Sequence, residues 1–249
     1  MNFNTNIKIK DLLLKNPSLT SLILKTVRKA GFDIISGTNP EVALLSNHGI
    51  SVIFDVGANI GQYAMRTRAL GYKGKIVSFE PVSPVFSELS KNAKNDPLWT
   101  TLNFGCGNYD GEALINISEN SQFSSILNQV PSLNQEYPES TYVGQEKITI
   151  HKIDSIFSKY HRTGEKIFLK IDTQGLEKNV LEGAHYSLEH ITGIQLELSF
   201  VPHYEGELLI MEMLKFLLKE GFTLVMLEPL SHNLQSGKLS QANGIFFRL

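Results

Sequence analysis

Glycine and acidic residues that could hold a ligand stand close together in the stretch VIFDVGANIGQY, at residues 52–63. It begins as an apolar strand, carries Asp55 near its end, and then breaks at Gly57, Asn59 and Gly61. Glycines between a strand and a helix let the backbone approach a ligand closely. The stretch therefore predicts a binding loop, and its residues indicate which class of ligand it holds.

The loop differs from one that binds a dinucleotide. A dinucleotide loop follows the pattern G-x-G-x-x-G, and its second glycine lets the pyrophosphate reach the backbone. That position is Asn59 here, and the negative charge of Asp55 would oppose a phosphate. Both features favour a nucleoside that carries methionine instead of phosphates. Its carboxylate would lie on N–H groups at the start of the following helix, and its ammonium near Asp55.

A second acidic residue, Glu80, stands in VSFEP at the end of the next predicted strand. In nucleotide-binding sheets, an acid about 20 residues beyond the loop accepts hydrogen bonds from ribose hydroxyls. A nicotinamide-dependent enzyme could use Glu80 in the same way, and a structural alternative is that Glu80 caps the turn before Pro81. Cys106, near the end of a third strand, is expected beside the adenine or as a small buried residue.

Two residues further along could act as a general base. Asp172 ends a strand in FLKIDTQGLEKNVLEGA and His203 follows one in SFVPHYEGE, so both are expected at the carboxyl edge of the sheet. Asp172 could instead cap the next helix, and His203 could be a loop histidine satisfied by a neighbour. Glu197 could orient a partner or stay a buried, paired acid. A magnesium ion on Asp172 and Glu197 is conceivable, but no cluster has the spacing of metal ligands, so we predict no metal site.

Alternating strands and helices are expected to position these residues. Apolar runs with glycine and proline signals predict strands at 51–56, 75–80, 101–106, 166–171, 193–200, 222–227 and 244–249. Helices are predicted at 60–70, from 83 onward, at 176–185 and at 207–220. Such alternation produces a doubly wound, mostly parallel α/β sheet with right-handed crossovers. The last two strands have no room for a helix between them and should pair antiparallel.

The stretch 118–145 has a different composition, rich in Ser, Asn and Gln with two prolines. A polar segment of this length is often a lid or binding loop, and the alternative is a solvated insertion. FSSIL at 123–127 is the apolar part that could dock a lid over the ligand. Residues 147–153 alternate loosely and predict a strand at a sheet edge.

Composition limits the class of protein. The chain has 249 residues, 42% of them hydrophobic, and a net charge of −2, which suits one sizeable domain and does not favour nucleic acid as a partner. The single cysteine excludes an internal disulfide. The sequence contains no run of about 18 apolar residues, so we expect no transmembrane helix. We expect a cytoplasmic protein.

The N-terminal part is predicted to form two small helices, at 9–14 and 19–27. We divide the chain into a helical extension at 1–48 and a ligand-binding domain at 49–249. The extension would cap one edge of the core; contact in a homodimer or with a membrane surface are alternatives.

The motifs together resemble a known family. In their order and spacing they are similar to those of FkbM-type S-adenosylmethionine-dependent methyltransferases, over about residues 50–249. The segments that carry the resemblance are FDVGANIGQY, SFEP, FSSIL, HKIDSIF, KIDTQGLEKNVLEGA and VPHYEGE. Two departures are Gln174, where the family often has Glu, and Asn243, where Asp is usual. They weaken any metal site or base that depends on these acids.

The resemblance implies a seven-stranded class I methyltransferase sheet with an antiparallel last strand, and transfer of a methyl group, commonly to oxygen. The acceptor would be a small molecule or saccharide. The expected cofactor-binding residues are Asp55, Gly57, Ala58, Asn59, Gly61, Tyr63, Glu80, Pro81, Cys106, Ser125, Asp172 and Gln174. Alternatives are a nicotinamide oxidoreductase, disfavoured by Asn59 and by the lack of a Tyr-x-x-x-Lys pair, and a non-catalytic nucleoside-binding protein.

Overall fold

The computed structural model describes residues 39–232 and 237–249. The predicted helices at 9–14 and 19–27 lie outside the described residues. Residues Glu41–Leu249 form one compact unit. Its first helix, α1 (Pro40–Asn47), buries Leu45 in the same apolar cluster as Ile50 and Ile53. No helix among the described residues has both the length and the apolar character needed to cross a membrane.

A seven-stranded sheet forms the centre of the unit, in the order β3-β2-β1-β7-β8-β10-β9. Only β10 runs against the others, because it pairs antiparallel with both β8 and β9. This confirms the predicted mostly parallel sheet with an antiparallel last strand. Its strands are β1 (Val52–Val56), β2 (Lys75–Phe79), β3 (Trp99–Leu102), β7 (Ile167–Ile171), β8 (Ile191–Ser199), β9 (Thr223–His232) and β10 (Leu239–Phe247).

Helices cover both faces of this sheet, as expected when a parallel sheet is buried on both sides. All five residues of β1 and of β7 are buried, which explains their nearly unbroken apolar sequences. The helices after α1 are α2 (Gln62–Ala69), α3 (Ser83–Ala93), α4 (Pro131–Glu136), α5 (Ile153–Tyr160), α6 (Glu177–Glu182) and α7 (Ile210–Lys219). Helix α2 begins two residues later than predicted because Asn59 and Gly61 both have positive φ angles, which helical backbone does not adopt.

The third predicted strand, 101–106, is wrong as one element. Strand β3 ends at Leu102, and the side chain of Asn103 donates hydrogen bonds to the carbonyls of Glu80 and Pro81, both at 3.0 Å. The chain turns there and continues as β4 (Gly105–Cys106), which belongs to a different sheet.

That second sheet has three strands in the order β4-β6-β5, with β5 at Gly111–Ser118 and β6 at Tyr142–His151. The predicted edge strand at 147–153 is therefore wrong in its place, because β6 is central and pairs on both sides. Ile115, Ile148 and Ile150 turn one face of this sheet onto Val82. The polar stretch between β5 and β6 contains α4 and two short 3-10 helices, at Ser121–Phe123 and Pro138–Ser140.

Candidate functional site

A cavity of about 450 Å³ lies at the carboxyl ends of the central strands. It extends from Glu80, after β2, past Gly57 and Asp172, after β1 and β7, to Glu197 in β8 and Asn243 in β10. Strand order reverses between β1 and β7, and in open α/β sheets ligands bind outside the strand ends at such a reversal. Residues 121–126, which we name the strap, form part of the cavity wall from the side of the second sheet.

A row of four polar residues crosses the buried centre of the sheet below this cavity. Ser78, Asp55, Lys170 and Gln195 are register partners on β2, β1, β7 and β8. Each is less than one-tenth exposed. Polar groups at such depth need partners, since an unpaired charge there is costly. Lys170 and Gln195 also line the cavity, so this row connects the sheet to the ligand site.

Lys170 is the residue that sequence reasoning missed. Its ammonium lies 3.2 Å from Asp55 Oδ1, 3.3 Å from the Gly57 carbonyl oxygen, 3.5 Å from Asp172 Oδ2, and 5.5 Å from the centre of the Tyr63 ring. Burial lowers the pKa of this ammonium, but the two carboxylates outweigh that effect and hold the pKa above its ordinary value. A lysine inside the apolar run FLKI was the signal, because a buried strand admits a charge only where a partner meets it.

The predicted role of Asp55 needs correction. Its side chain is fully buried and is not part of the cavity wall. One carboxylate oxygen accepts from Ser78 Oγ at 3.0 Å, and the other faces the Lys170 ammonium. A second ammonium, from a bound methionine group, would meet Lys170 before it reached Asp55. Asp55 therefore anchors Lys170 from below the cavity, and its contact with a bound ammonium stays a prediction.

The glycine loop is shaped mainly by its own packing. Gly57 lines the cavity with φ +72°, but a Cβ atom there would lie 1.8 Å from the Asp172 carbonyl oxygen. Gly61 has φ +91° and does not line the cavity; a Cβ atom there would meet the Trp99 ring at 2.7 Å. Packing alone therefore requires both glycines, because a side chain would overlap the Asp172 carbonyl at Gly57 and the Trp99 ring at Gly61. Close approach of a ligand to the loop stays a prediction, and only Gly57 of the two lines the cavity.

Asn59 closes the loop over the start of α2. Its Oδ1 accepts from the Ile60 amide and its Nδ2 donates to Ser121 Oγ in the strap, both at 2.9 Å. Its φ angle is positive, at +48°. Among the non-glycine residues of the described chain, only Gln174, at +54°, also has a positive φ angle. Both residues line the cavity. Left-handed backbone at non-glycine residues is uncommon and recurs at ligand sites.

Glu80 sits at the end of β2, as predicted, and its carboxylate performs the capping role as well. Oε2 accepts from the Asn59 amide and Oε1 from the Val82 amide, both at 2.9 Å. The side chain is 6% exposed, and burial raises its pKa to about 7 despite these two hydrogen bonds. Since a carboxylate has about four acceptor positions, ribose hydroxyls could still bind to it.

Asp172 reaches the cavity with a carboxylate that is 40% exposed. Gln174 Nε2 donates to its Oδ1 at 2.8 Å and lies 3.5 Å from Glu197 Oε2. The Gln174 carbonyl oxygen, Oε1, accepts from the Tyr204 hydroxyl at 2.9 Å. A buried tyrosine thus fixes the amide that orients Asp172. The helix-cap alternative for Asp172 is not observed, because Glu177 accepts from the Thr173 and Gly175 amides.

The structure does not bring His203 to the cavity. It is 4% exposed and lies outside the cavity wall, with its backbone amide donating to Glu207. Its Nε2 has no hydrogen-bond partner among the described residues, and burial lowers its pKa. A base must lie within hydrogen-bond reach of the proton that it removes, so the position of Asp172 on the cavity wall favours it over His203 as the base.

The remaining predicted residues do line the cavity: Ala58, Tyr63, Pro81, Cys106 and Ser125. Ser125 ties the strap to the end of β7, because its hydroxyl donates to the Gln174 backbone carbonyl at 2.7 Å. Cys106 is buried, and burial raises the pKa of its thiol far above the ordinary value, which disfavours the thiolate that a nucleophile needs.

The cavity lining agrees with some of the contacts expected for a methionine-bearing nucleoside. Glu80 offers acceptors at one end. The Ile60 and Gly61 amides, which precede α2, are already bonded to Asn59 and Ala58. Gln62 and Tyr63, the first residues of α2, line the cavity, so the carboxylate site at the helix start stays a prediction. Arg66, 45% exposed on the cavity wall and paired with Glu41 at 2.6 Å, is a second group that could bind the carboxylate. No group of three or more His, Cys, Asp or Glu side chains in the described ranges could hold a metal ion.

The chain is similar to several solved structures and matches one family model. The solved structures with similar folds include magnesium protoporphyrin IX methyltransferase from Synechocystis PCC 6803 with bound SAM (11% identity, 84% of this chain and 76% of that chain, TM-score 0.46). They also include an rRNA methylase from Streptococcus thermophilus (11% identity, 87% of this chain and 99% of that chain, TM-score 0.44). A third is TrmK from M. capricolum with S-adenosyl-homocysteine (5% identity, 84% of this chain and 68% of that chain, TM-score 0.46).

These similarities are low, and no curated protein matches the chain. The assignment rests on a match to the methyltransferase FkbM domain over residues 55–224, which gives no support to the nicotinamide alternative. Because this match spans well over half of the sequence, the chain belongs to the FkbM family of S-adenosylmethionine-dependent methyltransferases.

Proposed function

We propose that the protein transfers the methyl group to a hydroxyl oxygen of a small molecule, with Asp172 as general base. The observation that carries the proposal is the Asp172 carboxylate itself. It lines the cavity, keeps 40% of its side chain exposed, and ends the strand next to the glycine loop. A hydroxyl needs such a base, because it is a poor nucleophile until its proton is being removed.

The size and walls of the cavity support a small acceptor. Its volume of about 450 Å³ lies in the ordinary range for small-molecule sites. The strap covers one side, with Ser121 bonded to Asn59 and Ser125 bonded to Gln174. The net charge of −2 offers no basic excess for a nucleic-acid acceptor.

The chain's own residues have three tasks in the reaction. When bound, S-adenosylmethionine would supply a methyl carbon activated by a positive sulfur, and that sulfur would keep the electron pair of the broken bond. Asp172 would accept the hydroxyl proton as the acceptor oxygen bonds to the methyl carbon. Gln174 and Lys170 hold the Asp172 carboxylate in place, at 2.8 and 3.5 Å. The strap limits the access of water to the cavity. Alignment of the acceptor with the methyl group can lower the reaction barrier by about 7 to 11 kcal/mol.

Methyl transfer from labelled S-adenosylmethionine to a panel of hydroxylated small molecules tests the proposal. Asp172→Asn should lower kcat about 100- to 10,000-fold, the usual contribution of a general base. Its affinity for S-adenosylhomocysteine should stay close to that of the wild type, which shows that the site is intact.

His203→Gln is the matched control, since His203 lies outside the cavity. Its kcat, divided by the fraction of protein that binds S-adenosylhomocysteine, should stay within about threefold of the wild-type value. Loss of a general base would lower kcat far more than that. A large loss in His203→Gln together with an active Asp172→Asn would contradict the assignment. A wild type that binds the product and methylates no acceptor would favour the non-catalytic nucleoside-binding alternative.

A further inference from the structure

The wall of the cavity beyond Asp172 is polar and belongs to β8 and β10. Gln195 and Glu197 alternate along β8, so their side chains share one face. Asn243 is the register partner of Glu197, and Gln241 that of Ser199. All four of these carboxamide and carboxylate side chains line the cavity. They lie on the far side of β7 from Glu80, and so beyond the expected nucleoside.

Glu197 differs from its acidic neighbours in what compensates its charge. Glu177 accepts hydrogen bonds from the Thr173 and Gly175 amides, and Glu207 is held by backbone amides of the 203–204 turn. The Glu197 side chain accepts one hydrogen bond among the described residues, from Gln174 Nε2 at 3.5 Å, which is at the limit of a hydrogen bond. Its carboxylate therefore faces the cavity with almost no donor.

Gln195 provides a second and independent observation. The side chain is 3% exposed, and its Oε1 atom has no hydrogen-bond partner among the described residues. An acceptor left unpaired at that depth is costly unless a ligand supplies a donor. Two residues on one face of β8 thus both lack a close hydrogen-bond donor among the described residues, and both line the cavity.

The charges around this wall favour a cationic donor. Asp172 and Glu197 both approach the same Gln174 amide nitrogen. The nearest cation, Lys170, is already engaged by Asp55 and Asp172. Burial, and then repulsion from Asp172, raise the pKa of Glu197 well above its ordinary value, which favours the neutral acid until a cation binds beside it. A hydroxyl would donate a hydrogen bond, but only a cation would supply the positive charge that stabilises the Glu197 carboxylate.

We propose that Glu197 and Gln195 form an acceptor subsite for a protonated amine, so that the substrate is a hydroxylated compound with a primary amino group, such as an amino sugar. The inference rests on the proposed O-methylation. An ammonium offers three donors and a positive charge, which match an acid and an orphaned carbonyl oxygen. Pairing with Glu197 also keeps the amine protonated and without a lone pair. The methyl group is then directed to the hydroxyl.

Matched pairs of acceptors test the subsite with the wild-type protein. Glucosamine and galactosamine are each compared with their N-acetyl derivatives, which keep the hydroxyls and lose the charge. With S-adenosylhomocysteine bound, the amines should raise the melting temperature and the N-acetyl forms should not. In turnover with S-adenosylmethionine, N-acetylation should lower kcat/KM about 10- to 100-fold, the value of a charge-assisted hydrogen bond.

A charge-neutral variant then ties the effect to its residue. Glu197→Gln should weaken binding of the amines about tenfold or more and leave that of S-adenosylhomocysteine unchanged. Glu212→Gln removes the same charge from the exposed face of α7 and should behave as the wild type.

The outcomes separate the two proposals. Equal response to amines and N-acetyl forms, no response to either, or stabilisation by Mg²⁺ alone would overturn the amine subsite. O-methylation of neutral acceptors without preference would overturn it while leaving the proposed function intact. Methylation at nitrogen, detected by mass spectrometry of the product, would overturn O-methylation itself.

Discussion

Replacing Glu80 with Gln should remove a defined part of the pH dependence of stability. Burial raises the pKa of Glu80 from 4.5 to about 7 in the folded protein. The folded state therefore holds a proton that the unfolded state releases. The stabilisation that this proton provides is fully present below pH 4.5 and is lost as the pH rises through about 7.

The magnitude follows from the two pKa values. Between pH 5 and pH 8, ionisation of Glu80 should lower the free energy of unfolding by about 2 to 3 kcal/mol. Glu80→Gln does not titrate and should lack this loss. The variant also deprives one of the two backbone amides of its acceptor, which costs about 1 to 3 kcal/mol. That cost is the same at both pH values and cancels in the comparison.

Urea unfolding of the ligand-free wild type and variant at the two pH values measures the effect. Glu177, whose pKa burial also raises to about 7, titrates in both proteins and does not enter the difference. If the two proteins lost stability equally, within about 0.5 kcal/mol, the buried and protonated state of Glu80 would be refuted.

Three further predictions concern the support of the site. Lys170→Met should cost about 3 to 5 kcal/mol of stability in urea unfolding because it leaves the buried Asp55 carboxylate without a counter-charge, and the added change Asp55→Asn should restore much of it; no restoration would argue against the pair. Gly57→Ala should lower the melting temperature sharply, since its Cβ would overlap backbone, whereas Gly144→Ala, with open space around it, should not; equal melting temperatures would contradict this. The strap should exchange its amide hydrogens more slowly when S-adenosylhomocysteine is bound, as a closing lid requires, and equal protection in both states would reject the lid.

The strands and the binding loop could be predicted from local sequence because their signals are local. The apolar run of β1, the break at Gly57 and the acid at the end of β2 follow one another within thirty residues. The parallel direction of the strands follows from their alternation with helices. Strands β3 and β4 were predicted as one because nothing in their own sequence shows that Asn103 will bind the end of β2 and turn the chain.

The contacts inside the site depend on the register between distant strands, which one segment does not reveal. Asp55 and Lys170 are 115 positions apart and become partners only when β1 pairs with β7. The alternation of Gln195 and Glu197 in an otherwise apolar strand could have indicated a polar wall. The burial of His203 could not have been read from its sequence, because the packing around its turn decides it.

Calorimetry with S-adenosylhomocysteine tests most directly whether the cavity is the cofactor site, since it needs no knowledge of the acceptor. The wild type should bind with one site. Glu80→Ala should lose at least about tenfold in affinity, because each charge-assisted hydrogen bond to a ribose hydroxyl contributes about 1.5 to 3 kcal/mol. Glu88→Ala, the same change on the exposed face of α3, should bind as the wild type does. An affinity of Glu80→Ala within about twofold of the wild type, well below the effect of one such bond, would contradict the placement of the nucleoside in this cavity.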